Sequence, residues 1–362
     1  MAVFIENVAH TSVISEFFDF NELTYQPTNL WNNSIDTFGR FILSDEICNG
    51  TNNVLILSFF TLQKIINWEI SKNTLLTFIK NGNKLWVWDN IDSLVKLSTF
   101  HKTFGLHWLD SIAPKNAVYI FLDGYPTAFQ KWVDCNNIQL KLMPYSPFFN
   151  KIPRIQNAQT LKTNCTKDFL ITTICKKSGP HRHILHDELL KRTDLINKGH
   201  SYFKSSRNNG WIGKTIHQHT WQDGNPSMDL YLDSWLEIVP ETLYKNGYFV
   251  TEKTIKPIVT LTPFLALSTC GYLGHLQSLG FKTFNSIIDE KYDQEYRVND
   301  RARLIVDQLE YIISNGAKEF YQECLPILKY NSNRLFEIAG GWQYYNDQFI
   351  LQNLTELGLV DQ

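Results

Sequence analysis

Short apolar runs alternate with amphipathic stretches along most of the chain. Unbroken apolar runs of this length are typical of strands that are covered on both faces of a sheet. They predict strands at 54–59, 84–88, 117–122, 138–142, 169–174, 235–239 and 263–267. The remaining stretches predict helices at 69–80, 93–104, 181–192 and 271–278, a helix that starts after Thr251, a short strand at 281–284 and mostly helical structure over 301–360. Strands that alternate with helices indicate an α/β fold with parallel sheets.

This alternation breaks once, between residues 144 and 167, where three prolines precede a polar stretch. We interpret 151–166 as a linker between two domains. Polar residues 204–230 predict a long loop that is available for recognition. The predicted organisation is an N-terminal α/β domain over 1–150, a C-terminal α/β domain over 167–330 and a helical tail over 331–362.

The composition is that of a folded chain that is close to electrically neutral. Its 362 residues carry a net charge of −2, and 43% of them are hydrophobic. A nucleic-acid partner is not favoured, because constitutive nucleic-acid binders usually carry a basic surplus. The six cysteines form no CxxC pair, so the signal for a zinc framework or a redox dithiol is missing. Since we find neither a secretory leader nor a long apolar stretch, we expect a cytoplasmic protein without a membrane span.

The most informative stretch is Phe249–Lys253, which lies between two apolar strand-like runs. Thr251 is predicted to be a helix N-cap, which puts Glu252 and Lys253 in the first turn. A helix N-terminus offers free N–H groups and a partial positive charge, and both suit a phosphate. A lysine there can counter a diphosphate, and a glutamate can accept hydrogen bonds from ribose hydroxyls. This pattern predicts a nucleotide-sugar site.

The segment Tyr248–Lys253, followed by a helix and by Pro263-Phe264-Leu265, resembles the α-1,3-fucosyltransferase-like glycosyltransferases. The resemblance extends upstream to Gly179-Pro180-His181-Arg182 and downstream to 284–289, and it covers residues 168–315. It implies two facing Rossmann-like domains of the GT-B type, with a cleft between them. It also implies inverting, metal-independent transfer from a nucleoside diphosphate sugar. A GDP-sugar such as GDP-fucose is favoured, with a UDP-sugar as the alternative.

The same resemblance implies roles for individual residues. Arg182 and Lys253 would bind the donor diphosphate, and Glu252 would bind the ribose hydroxyls. Two cations placed there would stabilise the charge that builds up on the leaving nucleoside diphosphate. Glu241 follows the strand at 235–239 and is a candidate contact to the sugar or the base, and Thr251 completes the donor-binding set. No metal and no cofactor are expected beyond the nucleotide sugar, which serves as co-substrate.

An inverting transfer also needs a base that takes the proton of the acceptor hydroxyl. The resemblance implies a carboxylate from the first domain. Asp89 and Asp123 end two apolar strands in that domain and are the candidates. The acceptor is a glycan, a lipopolysaccharide, a protein or a modified nucleobase. The chain departs from the family at Thr262 and at Pro257, and Pro257 is expected to kink the helix or delay its start.

Two other functions stay open at this point. A fold of this kind can serve as a non-catalytic nucleotide- or sugar-binding module. His181, His183 and His186, with Asp187, would suit a metallohydrolase. The metal reading is not favoured, because His181 and His183 would point to different faces of a helix.

Overall fold

The computed structural model describes two compact units, formed by Met1–Pro144 with Tyr344–Gln362 and by Tyr145–Gln343. The residues that it describes are 3–6, 26–28, 53–58, 69–89, 118–122, 138–142, 149, 161–171, 179–201, 203–204, 211–212, 228–245 and 247–356. Within these ranges, no helix combines the length and the apolar character that crossing a membrane requires.

The first unit contains a six-stranded sheet in which every neighbouring pair of strands is parallel. Its strands are β1 (Val3–Glu6), β2 (Gln26–Thr28), β3 (Val54–Ser58), β4 (Lys84–Asp89), β5 (Val118–Leu122) and β6 (Ile138–Leu142). They lie in the order β2-β1-β3-β4-β5-β6. Helix α1 (Glu69–Lys80) connects β3 to β4. It buries Leu75, Phe78 and Ile79, and β3 buries the run Val54–Leu57, so apolar spacing explains both elements.

The second unit contains a four-stranded parallel sheet. Its strands are β7 (Lys167–Ile171), β8 (Gly199–Ser201), β11 (Ser234–Pro240) and β12 (Phe264–Leu267), in the order β12-β11-β7-β8. Strands β9 (Phe203–Lys204) and β10 (Trp211–Ile212) form a separate antiparallel pair. All residues of β11 are buried, as expected for an inner strand of a parallel sheet. The predicted α/β class and the predicted parallel pairing are therefore confirmed.

The helices of the second unit that follow β7, β11 and β12 were predicted from the sequence, whereas strand β8 was not. The helices of this unit are α2 (Pro180–Leu190), α3 (Thr193–Ile196), α4 (Met228–Leu232), α5 (Glu252–Val259), α6 (Tyr272–Ser278), a 3-10 helix (Lys291–Gln294), α7 (Val298–Asn315) and α8 (Ala317–Glu356), whose residues from Tyr344 onward belong to the first unit. Helix α7 packs against α2. Arg192, which follows α2, joins the two helices through ion pairs with Asp307 and Glu310.

One sequence-based expectation is wrong, and a second is wrong in part. The stretch 281–284 is irregular rather than a strand. Phe281 and Phe284 are buried, as a strand prediction requires. The backbone of Lys282, however, pairs with the side chain of Asn331: the N–H of Lys282 donates to Oδ1 of Asn331, and Nδ2 of Asn331 donates to the carbonyl of Lys282, both at 2.8 Å. A side-chain amide thus takes the place of a neighbouring strand. Pro257 does not delay its helix, because α5 begins at Glu252, directly after the capping residue.

Several predicted segments lie outside the described residues. They include the helix at 93–104, residues 151–160 of the linker, the last part of the strand at 169–174 and most of the loop at 204–230.

Candidate functional site

The order of strands in the second sheet defines one candidate location for a ligand. From β7 the chain first adds β8 on one side and later adds β11 and β12 on the other. In open parallel sheets, ligands bind beyond the carboxyl ends of the strands at the place where this order reverses. That place lies between β7 and β11. It is bordered by the start of α2, by the segment Glu241–Lys245 that follows β11, and by the start of α5.

Thr251 caps helix α5 as the sequence predicts. Its backbone is extended, and its Oγ1 accepts a hydrogen bond from the N–H of Lys253. Glu252 occupies the first turn, where a negative charge is favoured by the helix dipole. The local pattern of a threonine followed by an acidic residue therefore marks the helix start in the sequence.

Glu241 anchors this helix start through its carboxylate. Oε1 accepts from the N–H of Thr251 at 3.0 Å and from Oγ1 of Thr254 at 2.9 Å. Oε2 accepts from Oγ1 of Thr251 and from the N–H of Thr242, both at 2.7 Å. The hydroxyl of Tyr272 in α6 also lies 3.4 Å from Oε1. The Glu241 residue is 0% exposed, so both carboxylate oxygens are engaged inside the protein.

The backbone carbonyl of Glu241 binds the start of α2. Nε2 of His181 lies 2.8 Å from that oxygen, and Nη2 of Arg182 donates to it at 3.4 Å. The ring of His181 stacks on Tyr244, with centroids 4.7 Å apart. Burial and the charge of Arg182 lower the pKa of His181 to about 3, and Lys253 and Arg301 add to this effect. The ring is therefore neutral at pH 7, and it donates through Nε2.

Lys253 reaches the same segment from the α5 side. Its Nζ donates to Oγ1 of Thr242 at 2.9 Å and to Oγ1 of Thr251 at 3.3 Å. It also pairs with the carboxylate of Glu252 at 2.9 Å. Burial acts to raise the pKa of Glu252, but the charge and hydrogen bond of Lys253 outweigh it and hold that pKa below its usual value. The pair is largely buried, with 18% and 20% of the two side chains exposed.

The sequence-predicted donor residues thus meet at one short segment. Arg182 contacts the backbone of Glu241, and Lys253 contacts the side chain of the next residue, Thr242. Glu252 joins through its pair with Lys253, and Thr251 joins as the cap. Glu241 lies at the centre of this group and not at its surface; its contact to a sugar or base stays a prediction.

The two candidate bases are described only in part. Asp89 is the last residue of β4, and its backbone pairs with Leu122 at the end of β5. Asp123 is the next residue after that strand and lies outside the described residues. The ends of the two strands are therefore adjacent, as expected for neighbouring parallel strands.

Residues 181–187 show no metal-binding arrangement. His181 is taken up by Glu241 and Tyr244, and Nδ1 of His186 lies 3.8 Å from the carboxylate of Asp187. Across the described ranges, no three His, Cys, Asp or Glu side chains are grouped so that they could hold a metal ion.

Sequence reasoning missed four residues that build this group: His181 as a hydrogen-bonding residue, Thr254, Tyr272 and Arg301. No local sequence pattern marks Thr254 or Tyr272, since a threonine inside a helix and a buried tyrosine occur in any core. Arg301 comes from α7, which follows the last strand of the sheet. No spacing in the sequence connects it with Tyr244.

Comparisons of the chain with models of protein families, with curated proteins and with solved structures gave no match. The second unit is an α/β fold with a four-stranded parallel sheet, flanking helices and a cluster of charged residues at the switch in strand order.

Proposed function

We propose that the protein is a glycosyltransferase and that its second unit binds a nucleoside diphosphate sugar. The observation that carries the proposal is the approach of Arg182 and Lys253, from two different helices, to the adjacent residues Glu241 and Thr242. Both helix starts lie at the carboxyl end of β11, where parallel α/β sheets bind ligands. The resemblance to α-1,3-fucosyltransferase-like enzymes supports the same reading, including two Rossmann-like domains of the GT-B type.

The proposed chemistry is stabilisation of the leaving group. As the bond between the sugar and the diphosphate breaks, negative charge builds up on the nucleoside diphosphate. Arg182 and Lys253 would neutralise that charge without a metal ion, because they are fixed before the reaction begins. The N–H groups at the start of α5 would add a further favourable field. Glu252 would hold the ribose hydroxyls.

Glu241 has a positioning role in this proposal. Its carbonyl binds the residues of α2, and its carboxylate binds the cap of α5. One residue thus sets the separation of the two cations. In this proposal Glu241 supports the donor site, in addition to its predicted contact to the sugar or the base.

The acceptor side rests on the sequence alone. A carboxylate would take the proton of the acceptor hydroxyl as the sugar inverts, and Asp89 and Asp123 are the proposed bases. The acceptor class remains a glycan, lipopolysaccharide, protein or modified nucleobase, and the expected compartment is the cytoplasm.

Binding and turnover of sugar nucleotides test the proposal. Calorimetry with GDP, UDP and their sugar derivatives should give binding to the wild type. Arg182→Ala and Lys253→Ala should each weaken it by about tenfold or more, because a charged hydrogen bond contributes about 1.5–3 kcal/mol. Lys191→Ala is the matched control, since that lysine is 64% exposed and pairs only with Glu188 among the residues described. Its effect should be within about twofold.

The same assay separates the rival functions. A glycosyltransferase releases nucleoside diphosphate when a suitable acceptor is present. A non-catalytic module binds the donor and releases nothing. A metallohydrolase loses its activity when a chelator is added. Failure of every sugar nucleotide to bind, or unchanged affinity in both alanine variants, would refute the proposed donor site.

A further inference from the structure

Arg301 is a buried cation with an unusual set of partners. It lies in the first turn of α7, and the residue is only 1% exposed. Its five N–H groups make five hydrogen bonds, all to backbone carbonyls. In the described part of the chain it forms no ion pair, although the charges of Asp293 and Glu295 act on it. At this degree of burial, with its donors bonded inside the protein, the guanidinium is not accessible to a ligand.

The stability of its own helix does not explain this placement. A cation in the first turn of a helix faces the positive end of the helix dipole. Burying a charge is costly as well, unless hydrogen bonds compensate for the lost water. The five hydrogen bonds to backbone carbonyls supply this compensation, and their acceptors show which parts of the fold the guanidinium joins.

The carbonyls that Arg301 binds belong to three separate segments. Nη1 donates to Ser268, which follows β12, and to Tyr244, which follows β11, the latter at 3.4 Å. Nε and Nη2 donate to Glu295 at 2.9 and 2.6 Å, and Nη2 also donates to Tyr296 at 3.2 Å. Two of these segments begin at the carboxyl edge of the sheet. Arg301 thus ties the ends of two neighbouring strands to the start of α7.

The segment after β11 connects Arg301 to both cations of the proposed donor site. Tyr244 carries the ring that stacks on His181, next to Arg182. Two residues earlier, Thr242 carries the hydroxyl that binds Nζ of Lys253. Any shift of this segment would move the supports of both cations.

We propose that Arg301 is a positioning residue for the diphosphate site, which it builds by clamping the segment Glu241–Lys245. This inference rests on the proposed function, because it assumes that Arg182 and Lys253 bind a diphosphate. Arg301 acts through the shape of its planar fork, and its charge alone does not suffice. A lysine at this position keeps the charge but offers only three N–H groups from a single atom, so it cannot reach all three segments.

The test is calorimetric titration of the full chain with inorganic pyrophosphate, at a temperature where circular dichroism shows that every variant is folded. Arg301→Lys should weaken pyrophosphate binding by about tenfold, because both cations lose their support. Arg192→Lys is the control. Arg192 also joins two parts of this unit, through Asp307 and Glu310, but it touches none of the donor residues. It should change the dissociation constant by no more than about twofold.

A second variant keeps the inference testable if Arg301→Lys does not fold. Thr242→Val removes the hydroxyl that binds Lys253 and leaves Arg301 intact, and it should weaken binding several-fold. Unchanged affinity in Thr242→Val would overturn the link from the clamped segment to Lys253. Where both variants fold, the effect of the double variant should be smaller than the product of the single effects, because both act through one segment. Independent effects would overturn the inference.

The outcomes for the two proposals are distinct. If the wild type does not bind pyrophosphate, the donor site fails, and the role of Arg301 fails with it. If the wild type binds and Arg301→Lys binds equally well, or if Arg192→Lys weakens binding as much, the role of Arg301 alone is refuted.

Discussion

Replacing Glu241 with glutamine changes one oxygen to nitrogen at the most connected carboxylate of the site. Each carboxylate oxygen of Glu241 faces a different backbone N–H, that of Thr251 for Oε1 and that of Thr242 for Oε2. A glutamine amide has one acceptor oxygen, and its nitrogen carries two hydrogens. Whichever way the amide is turned, one of the two backbone N–H groups meets another donor.

The structure allows the cost of this substitution to be worked out. The lost charge-assisted hydrogen bond contributes about 1.5–3 kcal/mol, and the buried N–H that is left without an acceptor costs about 1–3 kcal/mol more. The sum is about 2.5–6 kcal/mol, taken from a total stability that is typically about 5–15 kcal/mol. For a unit of roughly 200 residues, each kcal/mol lowers the melting temperature by about 2–4 °C. We therefore expect Glu241→Gln to lower the melting temperature by roughly 10 °C.

Thermal unfolding followed by circular dichroism measures this shift. Glu337→Gln is the matched control, because Glu337 is 66% exposed and pairs only with Arg334 among the described residues. That variant should melt within about 2 °C of the wild type. If Glu241→Gln also melts that close to the wild type, the hydrogen bonds assigned to Glu241 do not hold the site together, and the reasoning fails.

Two further predictions concern the same unit. Gly271 has a φ of 81°, and a Cβ there would lie 2.9 Å from the hydroxyl of Tyr248, so Gly271→Ala should lower the free energy of unfolding by about 1–2 kcal/mol in urea titrations. Gly274→Ala, a helical site with nothing within 4 Å, should raise it by up to about 1 kcal/mol, and equal effects would contradict the backbone argument. Burial raises the pKa of Glu290 from 4.5 to about 7, so the protonated form is favoured in the folded state. The stability that this carboxyl contributes is present below pH 4.5 and is lost as the pH rises through 7, and Glu290→Gln should remove up to about 3 kcal/mol of that decline. An unchanged pH profile in Glu290→Gln would contradict this prediction.

The elements of the second unit were predictable where short-range patterns decide them. Apolar runs identify β11 and β12 to within a residue or two, because inner strands of parallel sheets are covered on both faces. Thr251 identifies the start of α5, because its hydroxyl caps a helix that begins at the next residue. The prediction at 281–284 fails for the opposite reason. Its apolar residues are buried as expected, but the backbone partner is Asn331, 49 residues away from Lys282.

The candidate site was predictable only where short-range patterns mark its residues. Lys253 and Glu252 stand out because they follow a helix cap between two strands. Glu241 gave no sign of its inward orientation, since its partners Thr251, Thr254 and Tyr272 lie 10, 13 and 31 residues along the chain. Arg301 was the hardest residue to predict. It binds backbone carbonyls, which every residue possesses, so the residue types along the chain do not indicate its partners.

The amino-acid sequence alone determined the α/β class, the strand runs and the helix start that carries Lys253, because each depends on neighbours within one or two turns of the backbone. Only the tertiary structure decided that Arg182 and Lys253 approach the adjacent residues Glu241 and Thr242, and that Arg301 binds the same segment at Tyr244. The physical reason is that the hydrogen bonds made at the end of a strand depend on which helices pack beside that strand end. That choice is made by the order of strands in the sheet.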